Sequence, residues 1–139
     1  MAAENIHANE LKVVYDFFKK FPSWCGPSPE TPTVEELEKF FSKEVQMFNN
    51  GKLIVQGGSH YLERLKNFQK MYSSFKISDP LEEPLIHENR ASIYYTLDLT
   101  THNGEHKQIY IMALFTIENH KIRRWVEVTH EKNSQKWDS

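Results

Sequence analysis

An α+β fold, with three helices packed on one face of a strongly curved, mostly antiparallel sheet, is what this 139-residue sequence predicts. Three observations lead there. The spacing of apolar residues changes once along the chain, from helical to alternating. Two Asn-Gly pairs, Asn50-Gly51 and Asn103-Gly104, sit where hairpin tips are expected. The helical stretches precede a long run of strands, the order of helices gathered on one side of an antiparallel sheet.

Leu11, Val14, Tyr15, Phe18 and Phe21 recur at helical spacing, and Pro22 closes the pattern, so a first helix is expected over about residues 6–21. The proline-rich "FPSWCGPSPETP" can be neither helix nor central strand. "TVEE", from Thr33 to Glu36, is a capping box: the Thr hydroxyl and the Glu carboxylate can each take up a free amide of the first turn. It starts a short second helix carrying Leu37, Phe40 and Phe41. In "VQMFNNGKLIVQG" the pair Asn50-Gly51 tolerates positive φ and marks a hairpin. Ser59 is read as the cap of a third helix with Tyr61, Leu65, Phe68 and Tyr72 on one face. From Phe75 the chain reads as strands: a Pro-interrupted one to about Glu88, then Ala91–Thr101, Glu105–Ile117 and Lys121–His130. The globular domain is expected over residues 1–130, and "EKNSQKWDS" as a flexible polar tail over 131–139.

Composition narrows the function. A hydrophobic content of 39% supports one core and one domain, and a net charge of −2 gives no electrostatic reason to expect nucleic acid or an anionic membrane as partner. No basic-then-apolar leader and no stretch of roughly 18 apolar residues occurs, so a cytoplasmic protein is expected. The single Cys25 fits a reducing compartment and has no neighbouring base that would make it a nucleophile. The histidines lack metal-ligand spacing, so no zinc site is expected, and no glycine-rich phosphate loop occurs, so no cofactor is expected.

The strand "YYTLDLTT" poses the functional question, because Asp98 is a poor strand former and costly to bury. A two-residue turn at Asn103-Gly104 would set Asp98 opposite Ile109, Thr96 opposite Ile111 and Tyr94 opposite Ala113, and "ENHK" would set Ile117 opposite Ile122. One face then carries Tyr94, Thr96, Asp98, Phe115 and Ile117, and the other Tyr95, Leu97, Tyr110, Met112 and Leu114. Both faces are apolar, which implies helices over one and a partner subunit, in a homodimer, over the other. The first face against the helices places Asp98 in a pocket with Tyr94 and Thr96; the plainer alternative leaves Asp98 wetted at the rim. Glu127 is a second acidic candidate. Straight alternation turns Trp125 and Glu127 away from Asp98's face, whereas a bulge at Arg123-Arg124 brings them onto it. His60, early in the third helix, could be held neutral by the helix dipole, or simply face solvent. Trp24 could roof a pocket mouth or cover a helix end.

The order of elements, with "NGKLIVQGGSHYLERLKNF" in the middle and "FTIENHKIRRWVEV" near the end, resembles the nuclear transport factor 2-like superfamily, in particular its SnoaL-like branch. The resemblance spans roughly residues 5–130. It implies a cone-shaped α+β barrel around an apolar pocket, frequent dimers, and functions from isomerase, cyclase, dehydratase and epoxide hydrolase to binding without chemistry. Similarity to limonene epoxide hydrolases implies a catalytic carboxylate at Glu127 and a second near Asp98, with Thr96 where those enzymes have an arginine. Similarity to ketosteroid isomerases implies an oxyanion donor at Tyr15, while their general-base position falls around Phe48 or Asn49. The candidates are therefore Asp98, Glu127 and Tyr15 for chemistry and Tyr94, Thr96, His60, Trp24, Phe48 and Trp125 for contacts with a small apolar molecule. Two functions remain open: cofactor-independent proton transfer by a pocket carboxylate, and a ligand-binding or dimerisation module whose cavity Phe48, Phe68 and Phe115 fill.

Overall fold

A computed structural model describes residues 2–25 and 29–132, with side chains from residue 11 onward. Three helices, α1 (Ala2–Trp24), α2 (Val34–Leu37) and α3 (Gly58–Met71), accompany seven strands. These are β1 (Phe41–Asn49), β2 (Lys52–Gln56), β3 (Tyr72–Ile77), β4 (Leu85–His87), β5 (Arg90–Thr101), β6 (His106–Glu118) and β7 (Lys121–Glu131). They form one sheet in the order β2-β1-β7-β6-β5-β3, with β4 on β5; β1 and β7 run parallel and the other pairings are antiparallel. The α+β class and the mostly antiparallel sheet are as the apolar periods imply. No helix among the described residues is long and apolar enough to cross a membrane.

Local signals set most element ends, with three corrections. The first helix runs through Pro22 to Trp24, because a missing amide so near the end costs a single helical hydrogen bond. The capping box forms as expected, Thr33 Oγ1 accepting from the Glu36 amide at 3.1 Å and Glu36 Oε1 accepting from the Thr33 amide at 3.2 Å. The second helix nevertheless stops at Leu37, and Phe41 is the first residue of β1, fully buried. The third helix begins before Ser59: its cap is Gly57, with no side-chain cap bond. β7 runs to Glu131, and of the segment 131–139 expected as a tail, residues 133–139 lie outside the described residues.

Hairpin geometry decides which residues face the helices. At Asn50 (φ 49°) and Gly51 (φ 85°) a two-residue turn joins Asn49 and Lys52, as the sequence implies. Asn119 and His120 make a second such turn, and Ile117 does face Ile122. The turn between β5 and β6 is different. The Thr101 amide donates to the Glu105 carbonyl at 2.8 Å, closing a three-residue loop over 102–104 with Gly104 at φ +92°. Thr101 Oγ1 bonds Asn103 Oδ1 and accepts from the Glu105 amide, pinning that loop. One extra loop residue shifts every pair: Asp98 faces Gln108, Thr96 faces Tyr110 and Tyr94 faces Met112. The expected pairing of Asp98 with Ile109 is thereby overturned. The inner face instead collects Ile93, Tyr95, Ile111, Ala113 and Phe115, each at most 2% exposed. The reason is burial: the odd loop turns the apolar side of both strands toward the helices.

Where β7 leaves its turn, Ile122 pairs with Ile117 and Arg124 with Thr116, so Arg123 is the extra residue of a β-bulge. Of the two readings of "KIRRWVEV", the bulged one holds. Trp125 then stands opposite Phe115 and Glu127 opposite Ala113, on the inner face. Against that face lies Phe17 of α1, in ring contact with Phe21, Trp24, Phe41, Tyr61 and Trp125. Truncating a ring so placed costs about 3–5 kcal/mol.

Candidate functional site

Glu127 is held on the inner face from two sides. Its strand neighbour in β1 is Asn49, whose Nδ2 donates to Glu127 Oε2 at 2.7 Å. Two residues back along β7, Trp125 Nε1 donates to Oε1 at 2.9 Å. The end of the first hairpin is latched to the same stretch: the Asn50 amide donates to the Glu127 carbonyl, and Asn50 Oδ1 accepts from the Thr129 amide, both at 2.9 Å. Each carboxylate oxygen thus has one donor and keeps acceptor capacity for something else. Burial raises the Glu127 pKa; Asn49, Trp125 and the Arg64 charge pull it down, and the net direction is upward.

The carboxyl lies on the wall of a cavity of about 90 Å³. Phe17, Phe18, Phe21, Tyr61, Tyr95 and Trp125 supply most of its ring surface, and the half-buried Arg64 and Phe68 of α3 also line it. Burial pushes the phenols of Tyr61 and Tyr95 well above 10, so both stay protonated. Phe18 and Ile77 also line an adjoining surface groove with Tyr15, Lys19 and Asp79. Among the described residues, no group of three or more His, Cys, Asp or Glu side chains could hold a metal ion.

Of the sequence candidates, the structure brings Glu127 and Trp125 together in this cavity. Asp98 is on the opposite face of the sheet, 37% exposed, with the His106 Nε2 3.6 Å from its Oδ1. The three-residue loop puts it there, and with it go Tyr94, its ring tilted against that of Tyr110, and Thr96, whose amide donates to Ser78 Oγ. Tyr15 sits in the adjoining groove, where burial raises its pKa, and not beside Glu127. Trp24 is core, 1% exposed against Phe17, Phe21 and Phe40, rather than a lid. The exposed His60 accepts the Gln56 amide on Nδ1 at 3.0 Å, closing the helix start. Phe48 lies under the Arg124 guanidinium at 4.6 Å, away from the cavity. Arg64, Asn49, Tyr61 and Tyr95 belong to the site without having been singled out as site residues. For Arg64 the signal was present: it stands three residues after Tyr61 and four before Phe68, inside an apolar helical stripe.

No family model matches the chain, and no curated protein matches it. Solved structures do. A protein from Jannaschia sp. CCS1, provisionally named a SnoaL-like polyketide cyclase, superposes with a TM-score of 0.71 at 9% identity, over 89% of this chain and 87% of that one. An epoxide hydrolase of M. tuberculosis, described as limonene-epoxide-hydrolase-like, gives 0.70 at 12% identity over 89% and 84%. A nuclear transport factor 2-like protein of unknown function from Exiguobacterium sp. 255-15 gives 0.71 at 13% identity over 85% and 98%. At such identities a likeness speaks for architecture, and over this extent it establishes that the chain has the nuclear transport factor 2-like fold shared with SnoaL-like proteins.

Proposed function

We propose that the cavity binds a small apolar molecule and that Glu127 moves a proton on it without a cofactor, in an isomerisation, cyclisation or dehydration. The observation that carries this reading is the half-buried carboxyl on the wall of a ring-lined cavity, oriented by Asn49 and Trp125 and with its pKa raised. Two fixed donors hold the carboxylate plane, so proton transfer needs no reorganisation of the base. Burial brings the carboxyl closer to the range in which it can both accept and return a proton. Structures of the same fold include an epoxide hydrolase and a protein provisionally named a cyclase, which makes small-molecule chemistry in this scaffold plausible on grounds other than geometry.

The test is exchange of the acidic carbon-bound protons of phenylacetone in heavy water, followed by NMR with wild type and with Glu127→Gln. Loss of a general base is expected to slow exchange at least about a hundredfold. The alternative, a ligand-binding module without chemistry, is favoured by one observation: 90 Å³ is less than the roughly 150 Å³ that admits benzene, so a one-ring ligand reaches past Phe18 toward the adjoining groove. Equal exchange with wild type and Glu127→Gln would select that module. Dimerisation is proposed through the outer face of the sheet. Met112 and Val128 stand opposite each other there, 45% and 56% exposed, beside Leu114 and Val126.

A further inference from the structure

Arg64 is out of keeping with its surroundings. It shares one face of α3 with Tyr61 and Phe68 and lines a largely apolar cavity, its guanidinium 4.9 Å from the Phe68 ring centroid. Stacking on a ring leaves the in-plane N–H groups of a guanidinium free to donate. None of the ion pairs among the described residues includes Arg64, and no hydrogen bond there uses it as donor. Its charge is felt by Glu127 and by Tyr61, yet it is not paired with the carboxylate. A half-buried cation with unused donors and a half-buried carboxyl therefore share one cavity, with rings around them.

Resting on the cavity-binding part of the proposed function, we infer that the ligand is a planar, one-ring compound that carries an anionic oxygen, seated on Arg64. The fit is chemical. Ring faces take the apolar body, and a planar oxyanion matches the fork of the guanidinium.

Benzoate and its neutral isostere benzamide separate charge from shape. Calorimetric titration should give benzoate about a tenfold advantage on wild type, the size expected of a charge-assisted hydrogen bond. Arg64→Met should remove that advantage while changing benzamide affinity by less than about twofold, and Arg64→Lys should restore part of it. Because a variant can fail to fold, the Arg64 Nε–H signal of the wild-type protein gives a second readout: it should shift with benzoate and not with benzamide. Equal affinity for the two probes, an advantage that survives Arg64→Met, or an Nε–H signal blind to benzoate each overturns the inference alone. Absence of binding by either probe overturns it together with the cavity reading, whereas proton exchange insensitive to Glu127 overturns only the catalytic reading.

Discussion

At Glu127 burial works against two hydrogen bonds, and burial prevails. Removing one donor should therefore move the carboxyl further in the same direction. Trp125→Phe deletes the indole N–H that bonds Oε1 and should raise the Glu127 pKa, read by carboxyl-carbon NMR; a fall would show that the indole does not stabilise the charged form. Stability follows with a definite sign. A carboxyl whose folded pKa lies above its ordinary 4.5 stabilises the fold while protonated, and that contribution is lost as pH rises from 4.5 through the folded value. Between about pH 4 and about pH 8, urea unfolding of Glu127→Gln should lack this loss relative to wild type. Asp98→Asn, on the outer face, should keep it. If both variants retain the wild-type pH dependence, Glu127 is not shifted.

Among the elements, two single residues decide what the sheet presents to the helices. Gly104 at φ +92° makes the odd loop between β5 and β6 accessible, and a Cβ there would meet nothing within 4 Å. Gly104→Ala should then cost only the left-handed backbone penalty, about 1–2 kcal/mol by urea denaturation. Arg123, the extra residue of the β7 bulge, sets the side on which Trp125 and Glu127 emerge. Deleting it would send the buried indole and the carboxyl to the outer face, so tryptophan emission should move to the red and stability should fall sharply. A deletion variant with unchanged emission would mean that the register past residue 124 does not depend on the bulge.

For the molecule as a whole, the sheet separates two surfaces of different use. The inner one holds the cavity and Glu127; the outer one exposes Met112, Val128 and, at its edge near β4, Leu85 at 74%. Charge placed on the outer surface should therefore separate subunits without touching the site. Val128→Lys is expected to sediment as a monomer at micromolar concentration where wild type sediments as a dimer, with unchanged benzoate affinity. Wild type sedimenting as a monomer would remove the proposed interface.

Local chemistry made much of this fold legible. The Thr33–Glu36 box, the Asn50-Gly51 turn and the change of apolar period each depend on residues a few positions apart. The doubled arginine likewise announced a bulge as one of two options, and through it Glu127 and Trp125. What the sequence could not determine was parity. Asn103-Gly104 suits a loop of two or of three residues almost equally, and β5 and β6 carry apolar side chains on both faces, so neither local propensity nor pattern chooses the register. Tertiary packing chose it, by burying Ile93, Tyr95, Ile111 and Phe115 together under Phe17 and its neighbours. That choice removed Asp98 from the cavity and brought Tyr95 in. Arg64 likewise became a site residue once α3 packed against β1, β2 and β3, because the character of a half-buried charge depends on what lies opposite it, and only the folded chain supplies that.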